Sequence, residues 1–265
     1  MATTASGIED RRMSIGGVFQ RAFSTISNNL LVVLGIAVVL GGLPSVIVNV
    51  SMRWIIGTPT PVVGTQPDFS AMWGAMLFSW VLAVVVGAIV QGALTRAAVA
   101  DYEGHKASFG ECIGAALRVL LPLILVGLIF GFAVAIGSVL LLVPGIIIMV
   151  MWSVAGPAVV VEREGVMAAF RRSQELTSGD RWRIFGLFLV LLVIYLIFFA
   201  VLAMIGLSGM TATSVQSFGI VPLLVNVLMA TVFNLLWGTI QPSIYLELRQ
   251  EKEGGSLDNL EQVFA

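Results

Sequence analysis

Residues 117–161 read LRVLLPLILVGLIFGFAVAIGSVLLLVPGIIIMVMWSVAGPAVVV, and Arg118 is the only charged residue among these 45 positions. A helix needs about 20 residues to cross the roughly 30 Å hydrocarbon core of a membrane, so the stretch is too long for one span and predicts two. We expect the turn to lie between Gly137 and Gly145, because Gly137 and the Pro144-Gly145 pair are the local helix breakers. Pro144 is then expected in the first turn of the fourth span.

The same length argument predicts four more spans, at residues 30–52, 71–100, 184–207 and 220–246. Long unbroken apolar runs predict helices, since the strands of a membrane barrel would show roughly ten-residue segments of alternating polarity. Of the 265 residues, 58% are hydrophobic and 11% are charged, whereas soluble domains carry roughly 25% charged residues. The sequence therefore predicts an all-α integral membrane protein with six transmembrane helices.

Lysine and arginine are distributed unevenly between the two sides of these spans. Thirteen of the 14 lie before the first span, between the second and third, between the fourth and fifth, or after the sixth, and Arg53 is the exception. By the positive-inside rule, this pattern predicts a multi-pass protein of the bacterial inner membrane with both termini in the cytoplasm. Residues 1–12 and the acidic residues 251–265 are then cytoplasmic tails, while the Pro-rich loop up to Ser70 and the loop at 208–218 are extracytoplasmic.

Three short segments that precede spans one, three and five share an apolar pattern. Apolar residues recur at offsets 0, 3, 4, 7, 8 and 11 from Ile15 and again from Phe109. The segment from Val166 starts the same pattern and loses it at Ser173 and Thr177. These offsets mark one face of a helix. They predict amphipathic helices that lie in the membrane interface.

The second, fourth and sixth spans also end alike, in Glu-Gly pairs at 103–104, 164–165 and 253–254, and Gln91, Trp152 and Gln241 stand twelve residues before each Glu. We therefore predict a single six-helix domain, residues 13–250, built from three units of interfacial helix plus transmembrane hairpin. The units run over about 13–104, 105–165 and 166–254. The alternative is that any two-span hairpin begins and ends with interfacial polar residues.

Four amide side chains fall within the predicted spans: Gln91, Asn226, Asn234 and Gln241. Polar groups at membrane depth are costly unless they are paired or hydrated. They indicate either a polar cavity or interhelical hydrogen bonds worth roughly 0.6–1 kcal/mol each. A cavity lined by these side chains at membrane depth would favour transport, and a packed interior would favour a scaffold or accessory role.

The densest charge cluster lies between spans four and five. It consists of Arg163, Arg171, Arg172, Arg181 and Arg183, with Trp182 among them. Arginines at a membrane surface attract anionic lipid headgroups, and tryptophan prefers the interface. The cluster is a candidate site for anionic lipid, although basic residues at this position also serve simply to fix the topology.

Cys112 and His105 are the only residues of their types, which argues against a disulfide within the chain, a thiolate metal cage and a Ser-His-Asp triad. The sequence also lacks an HExxH motif. We therefore expect no catalytic residues, no cofactor, no metal ligands and no nucleic-acid partner.

Residues 142–186 carry a recognisable series of short motifs. They read LVPGII at 142–147, continue through Trp152 and Pro157 to AAFRRS at 168–173, and end with RWRIFG at 181–186. Together with SIGGVF at 14–19, this series resembles the six-helix membrane domain of some bacterial glycerophosphoryl diester phosphodiesterases and its stand-alone relatives. The resemblance implies a membrane architecture. It implies no activity, because the sequence does not contain the soluble catalytic barrel of those enzymes.

These observations favour a non-enzymatic membrane protein that organises or binds membrane lipids, or that acts as an accessory subunit to a membrane partner. The alternative is a small-solute or lipid transporter, in which the prolines of the spans would break helices around a substrate. Against transport, no predicted span contains a charged residue at mid-membrane depth for ion coupling. The sequence leaves open whether the chain forms a homo-oligomer.

Overall fold

The computed structural model describes residues 13–48, 69–208 and 220–254. The predicted N-terminal tail, Arg53 with the Pro-rich loop up to residue 68, the loop at 209–218 and residues 255–265 lie outside the described residues. Within the three described ranges, all regular secondary structure is helical.

Six helices are long and apolar enough to span a membrane, and a shorter helix precedes the first, third and fifth of them. In chain order, the elements are α1 (Ile15–Asn28), α2 (Leu30–Val48), α3 (Phe69–Tyr102), α4 (Phe109–Arg118), α5 (Leu120–Leu140), α6 (Leu142–Met151), α7 (Ala155–Glu162), α8 (Val166–Thr177), α9 (Arg181–Ser208) and α10 (Ile220–Arg249). Helices α6 and α7 together form the fourth span, and α10 continues as a π-helical turn at Gln250–Gly254. The predicted all-α fold with six spans is confirmed.

The short helices α1 and α4 begin in the same way. The side chains of Ser14 and Ser108 each accept a hydrogen bond from the backbone N–H three residues on, at 3.2 Å in both helices. On the same apolar faces, Phe23 and Leu117 are more than half exposed and point away from the bundle. The residues that these faces bury are Val18 and Ala22 on α1, and Cys112 and Ala116 on α4. The predicted amphipathic helices are therefore present.

A single residue, Leu141, joins the third and fourth spans, and its extended backbone (φ −160°, ψ 138°) separates α5 from α6. The turn lies in the predicted interval, but the prediction that the glycines break the helices is wrong. A Cβ atom on Gly137 would lie 3.0 Å from the backbone nitrogen of Gly145, and one on Gly145 would lie 2.9 Å from that of Ser138. These glycines lie inside the two helices and allow the backbones to approach closely. Pro144 lies in the first turn of α6, as predicted.

The fourth span is interrupted at residues 152–154, between α6 and α7. The carbonyl oxygen of Met151 accepts hydrogen bonds from the hydroxyls of Ser173 at 2.9 Å and Thr177 at 3.2 Å. The backbone N–H of Val154 donates to the Ser173 hydroxyl at 3.3 Å. Both hydroxyl side chains belong to α8 and are fully buried, so they satisfy backbone groups that the interruption leaves without helical partners. The loss of the apolar pattern at these two positions therefore has a structural cause.

Helices α3, α7 and α10, which close the three predicted units, contact one another at the centre of the bundle. Around them, α2 packs against α3 and α10, α5 packs against α3 and α7, and α9 packs against α10 and α6. Helix α2 approaches α10 closely at a π-helical segment, Ala37–Gly42, where a Cβ atom on Gly41 would lie 3.0 Å from the side chain of Asn234. The helices that carry the predicted amides are thus the central α3 and α10.

Candidate functional site

Arg172 lies in an ion-pair network at the charged end of the bundle. Its Nε donates to Glu162 Oε1 at 2.8 Å, and its Nη2 is paired with Glu253, beyond the end of α10. The hydroxyl of Tyr245 donates to the same oxygen of Glu162 at 2.7 Å. Although burial opposes the charge, the hydrogen bonds to the two carboxylates raise the pKa of Arg172 above its ordinary value. Arg172 therefore ties α8 to α7 and α10.

Arg183 is likewise engaged within the protein. Its Nη1 donates to the carbonyl oxygen of Met13 at 2.9 Å, and its Nε lies 3.8 Å from Asp180 Oδ1. Met13 and Asp180 are both buried. Arg183 therefore links the residue before α1 to the beginning of α9, and its charge is already partly compensated.

The other three arginines of the predicted cluster are exposed and have no ion pair in the part of the chain that the structure describes. They are Arg163, Arg171 and Arg181. Trp182 is 84% exposed and makes an edge-to-face contact with Phe185, with ring centroids 6.1 Å apart. These four side chains are the members of the cluster that are free to contact a lipid.

Arg163 lines a pocket that contains no other member of the cluster. It lines a cavity of about 450 Å³ between α3, α4 and the end of α7, together with Arg96, Glu103, Glu111 and Arg118. We call this cavity the arginine pocket. Arg96 donates to Glu111 Oε1 at 3.0 Å and to Glu103 Oε2 at 3.3 Å, and its hydrogen bond and charge lower the pKa of Glu111. Arg118 and Arg163 have no such partner among the described residues, so the pocket keeps two free guanidinium groups.

The backbone of Arg163 is unusual. It follows the last residue of α7 with φ 53°, in the left-handed region. Glycine normally occupies this position, because a Cβ atom makes the conformation costly by roughly 1–2 kcal/mol. The loop after α3 has glycine in the corresponding conformation, at Gly104 with φ 78°. An arginine held in a conformation that suits glycine is a candidate functional residue.

The sequence pattern did not mark Arg118 or Arg96 as part of a site. Arg118 carried a signal, since it is the only charge in a 45-residue stretch and ends the second amphipathic segment. Arg96 gave no comparable signal. Its neutralisation depends on Glu111, which lies on another helix.

A second candidate is a cavity of about 280 Å³ among α3, α5, α7 and α10, which we call the central cavity. It is lined by Gln91, Trp152 and Gln241, the residues at equivalent positions of the three predicted units. Gln241 is 8% exposed and its side chain has no hydrogen-bond partner among the described residues. Nε2 of Gln91 is buried and also has no partner in the described structure. Because a buried amide without a partner costs about 1–3 kcal/mol, both glutamines are candidates for ligand contact.

The two asparagines among the amides of the predicted spans line a different cavity. It measures about 490 Å³ and lies between α2, α3 and α10, with Asn226 and Asn234 in its wall. Ala83 and Gly87 of α3 line both this cavity and the central cavity. Nδ2 of Asn234 donates to the carbonyl oxygen of Ala230 at 2.7 Å. The four amides thus fall into two neighbouring cavities, with the glutamines in one and the asparagines in the other.

Within residues 13–48, 69–208 and 220–254, no group of histidine, cysteine, aspartate and glutamate side chains could hold a metal ion. Cys112 is fully buried where α4 packs on α3, and this burial raises the pKa of its thiol to about 11. A buried, protonated thiol is a poor nucleophile at neutral pH. Cys112 is therefore a packing residue.

Comparison with protein families adds to this geometry. The model of a domain of unknown function, DUF7847, matches residues 107–248, which is more than half of the chain. The chain belongs to the DUF7847 family. The match contains Arg118, Arg163 and Gln241, whereas Gln91 lies outside it.

The chain is also similar to a curated protein, a UPF0259 membrane protein of Pectobacterium carotovorum. The two are 31% identical over 78 residues, which are 29% of this chain and 31% of the relative. The chain thus spans about a third of the length of that relative. No solved structure matches the chain. With its six apolar helices, this DUF7847 member is a multi-pass membrane protein.

Proposed function

We propose that this protein is a non-enzymatic protein of the bacterial inner membrane that binds anionic lipid headgroups at the arginine pocket, with both termini in the cytoplasm. The distribution of lysine and arginine supports this orientation. The pocket then faces the cytoplasmic leaflet, whose anionic lipids attract basic residues. Alkaline phosphatase, which is active only outside the cytoplasm, tests the orientation. A fusion at either terminus is expected to be inactive, and an active fusion would contradict it.

The single observation that carries the proposal is the pair of free guanidinium groups in the arginine pocket. Arg118 lies two residues before the third span and Arg163 lies one residue after the fourth. Both ends of one hairpin therefore present an unpaired arginine at the depth where a span ends and headgroups begin. Arginine suits this ligand, since its planar N–H groups match the oxygens of a phosphate. Arg96 is held by carboxylates, so the two free groups supply the attraction.

The remaining free side chains of the cluster form an outer contact in this proposal. Arg171 lies on the exposed side of α8, and Arg181 and Trp182 begin α9. Arg172 and Arg183 are excluded as headgroup ligands, because their hydrogen bonds are made within the protein. Lipid is the partner that this pattern favours, and an accessory role beside a membrane protein partner is compatible with it.

Two further expectations belong to the same proposal. The resemblance to the membrane domain of glycerophosphoryl diester phosphodiesterases supports a role close to phospholipid, because those diesters share the glycerol phosphate unit of lipid headgroups. The division into three units, at about 13–104, 105–165 and 166–254, is supported by the convergence of Gln91, Trp152 and Gln241 on one cavity.

The binding proposal is tested by lipid-dependent stability. Purified protein in neutral detergent is titrated with phosphatidylglycerol or phosphatidylcholine, and its melting temperature is measured. A ligand that binds only the folded state stabilises it by about 2.7 kcal/mol at a hundred times its Kd. We expect phosphatidylglycerol to stabilise the wild type, and R118Q/R163Q to lose this stabilisation.

The matched control is Lys106→Gln, which removes an exposed charge from the loop before α4 without touching the arginine pocket. This variant is expected to respond to phosphatidylglycerol as the wild type does. Equal responses of R118Q/R163Q and the wild type would overturn the proposal. Equal stabilisation of the wild type by phosphatidylcholine would show that the charge of the headgroup is irrelevant.

A second candidate function, transport of a small solute or lipid, is favoured by one observation. The central cavity and the asparagine-lined cavity adjoin each other through Ala83 and Gly87. Reconstituted liposomes with a fluorescent phospholipid in both leaflets test the lipid form of this idea. Dithionite quenching beyond the outer-leaflet half would support transport of lipid, and quenching that stops at half would contradict it.

A further inference from the structure

The central cavity differs from the arginine pocket in the chemistry of its wall. None of the described residues that line it is charged, and its hydrogen-bonding side chains are Gln91, Gln241, Ser153 and, as donors only, Trp152 and Trp237. Ser153 already donates to the carbonyl oxygen of Val150 at 2.9 Å. The two amides are therefore the side chains left that offer a ligand both donors and an acceptor. Such a wall suits carbonyl and hydroxyl groups and disfavours a charge, which would be buried without a counter-ion.

The depth of the cavity indicates where a ligand comes from. Gln91 lies eleven residues before the end of α3 at Tyr102, which places it roughly 16 Å along the helix from the charged end of the bundle. The intervening layer is packed. Leu94 and Ile244 are fully buried, and a Cβ atom on Gly238 would lie 3.3 Å from the Cβ of Leu94. Apolar packing in this layer disfavours passage of a polar group from the charged end.

The side of the cavity toward the bilayer is open instead. Gly87 on α3 and Gly127 on α5 both line the cavity, and both are exposed. A Cβ atom added to either glycine would meet nothing within 4 Å. The missing side chains leave a lateral gap between α3 and α5.

The size of the cavity limits what enters. About 280 Å³ lies just below the roughly 300–1,000 Å³ of sites that enclose a whole drug-sized ligand. The cavity can therefore hold a compact polar end, while a hydrocarbon tail stays between α3 and α5 or in the bilayer. Trp152 and Trp237 supply flat apolar walls around that end.

We propose that the central cavity binds the polar end of an uncharged lipid, with carbonyl or hydroxyl groups hydrogen-bonded to Gln91 and Gln241, and that this lipid enters sideways from the bilayer between Gly87 and Gly127. Diacylglycerol has this chemistry. The inference does not rest on headgroup binding at the arginine pocket, which lies at the end of the bundle and selects for charge.

The experiment uses a photoactivatable diacylglycerol with the reactive group next to its glycerol. The full chain is placed in phosphatidylcholine nanodiscs, irradiated and digested, and the cross-linked peptides are identified by mass spectrometry. We expect cross-links to concentrate on the peptides that contain Gln91, Trp152 and Gln241. Cross-links spread evenly over the lipid-facing surfaces of the helices would overturn the proposal.

Two glycines one helical turn apart provide matched variants. Gly127→Leu fills the lateral gap, whereas Gly131→Leu makes the same change on α5 outside the cavity, and neither Cβ meets a neighbour. We expect Gly127→Leu to lower the yield of cavity cross-links about tenfold, and Gly131→Leu to leave it within about twofold. Equal yields in the two variants would contradict the route of entry.

A second pair of measurements tests the ligand chemistry. Q91L/Q241L keeps the side-chain volume and removes both amides, so we expect the cavity yield to fall about tenfold while the melting temperature stays the same or rises. An unchanged yield would refute hydrogen bonding by the glutamines. A photoactivatable phosphatidylglycerol is expected not to label the cavity, and labelling equal to that by diacylglycerol would refute selectivity for an uncharged lipid.

Discussion

Helices α4 and α8 occupy the same place in successive hairpins, yet they attach to the bundle through different chemistry. The buried face of helix α4 packs Cys112 and Ala116 against apolar side chains of α3, beside the exposed Arg96–Glu111 ion pair. Helix α8 buries Ser173 and Thr177, whose hydroxyls hold the interruption of the fourth span. In α8, the departure from the repeated apolar pattern at Ser173 and Thr177 marks the place where buried backbone groups need a hydrogen-bond partner.

The largest effect is expected when α8 is made to resemble α4. In S173A/T177V, the carbonyl of Met151 and the N–H of Val154 lose buried partners, so the free energy of unfolding should fall by about 3 kcal/mol. This free energy is measured by unfolding the protein in sodium dodecyl sulfate and monitoring its helicity by circular dichroism. Ser178→Ala, which removes an exposed hydroxyl just after α8, should change the value by less than about 0.5 kcal/mol. Equal losses of unfolding free energy in S173A/T177V and Ser178→Ala would show that the interruption of the fourth span does not need the hydroxyls of α8.

The apolar attachment of α4 can be probed through its cysteine. Because burial raises the pKa of Cys112 to about 11, its thiolate population at pH 7 should be about a hundredfold below that of an ordinary cysteine with pKa near 8.5–9. Maleimide labelling of the native protein should therefore be slower than that of the unfolded protein by at least this factor. Rapid labelling of the folded chain would mean that α4 separates readily from α3.

The raised pKa of Cys112 also makes the stability of the folded protein depend on pH in a defined direction. In the unfolded chain the thiol ionises with a pKa near 8.5, while burial raises the pKa of the thiol to about 11 in the folded chain. The folded state therefore binds more protons in this window, and its stability should fall as the pH rises above about 8.5. Cys112→Ala should lose this part of the pH dependence. An identical slope in the two proteins would contradict the assignment.

An intermediate effect is expected at the paired arginine of α8. Arg172→Gln breaks hydrogen bonds to Glu162 and Glu253, so we expect a loss of about 2 kcal/mol in unfolding free energy. Its neighbour Arg171 is exposed and unpaired among the described residues, so Arg171→Gln should lie within about 0.5 kcal/mol of the wild type. The reverse order of effects would mean that the network does not join α8 to α7 and α10.

The smallest effect concerns the loops that lead into the two helices. Gly104 precedes α4 and Arg163 precedes α8, both in the left-handed conformation. Arg163→Gly relieves backbone strain but adds freedom to the unfolded chain, so we expect a net gain of about 0.5 kcal/mol in stability. The same variant should lose stabilisation by phosphatidylglycerol. A variant that is less stable than the wild type would show that Arg163 supports the fold.

The sequence was sufficient for the fold because hydrophobic length is a local property. The apolar run 117–161 predicted a hairpin, and the turn is at Leu141 within the expected interval. The sequence also revealed the cluster of arginines, but it did not show which of them are paired within the protein and which are free. Whether an arginine is free depends on partners far along the chain, such as Glu253 for Arg172 and Met13 for Arg183.

The predicted amides illustrate the same limit. Their costly placement within spans was evident from hydropathy, and the spacing of Gln91 and Gln241 from the Glu-Gly pairs indicated equivalent positions. Their convergence on one cavity, apart from Asn226 and Asn234, follows from the contact of α3 with α10 and the position of α2. Such contacts between distant segments are not encoded in local periodicity.

Native mass spectrometry of lipid retained by the purified protein tests most directly whether the arginine pocket holds an anionic headgroup. Wild type, Lys106→Gln and R118Q/R163Q are released from the same mixed phosphatidylglycerol and phosphatidylethanolamine membranes, and bound lipids are counted. We predict that wild type and Lys106→Gln retain phosphatidylglycerol, and that R118Q/R163Q retains about 30-fold less, since each of the two basic residues contributes about 1 kcal/mol. Undiminished phosphatidylglycerol on R118Q/R163Q would contradict the assignment.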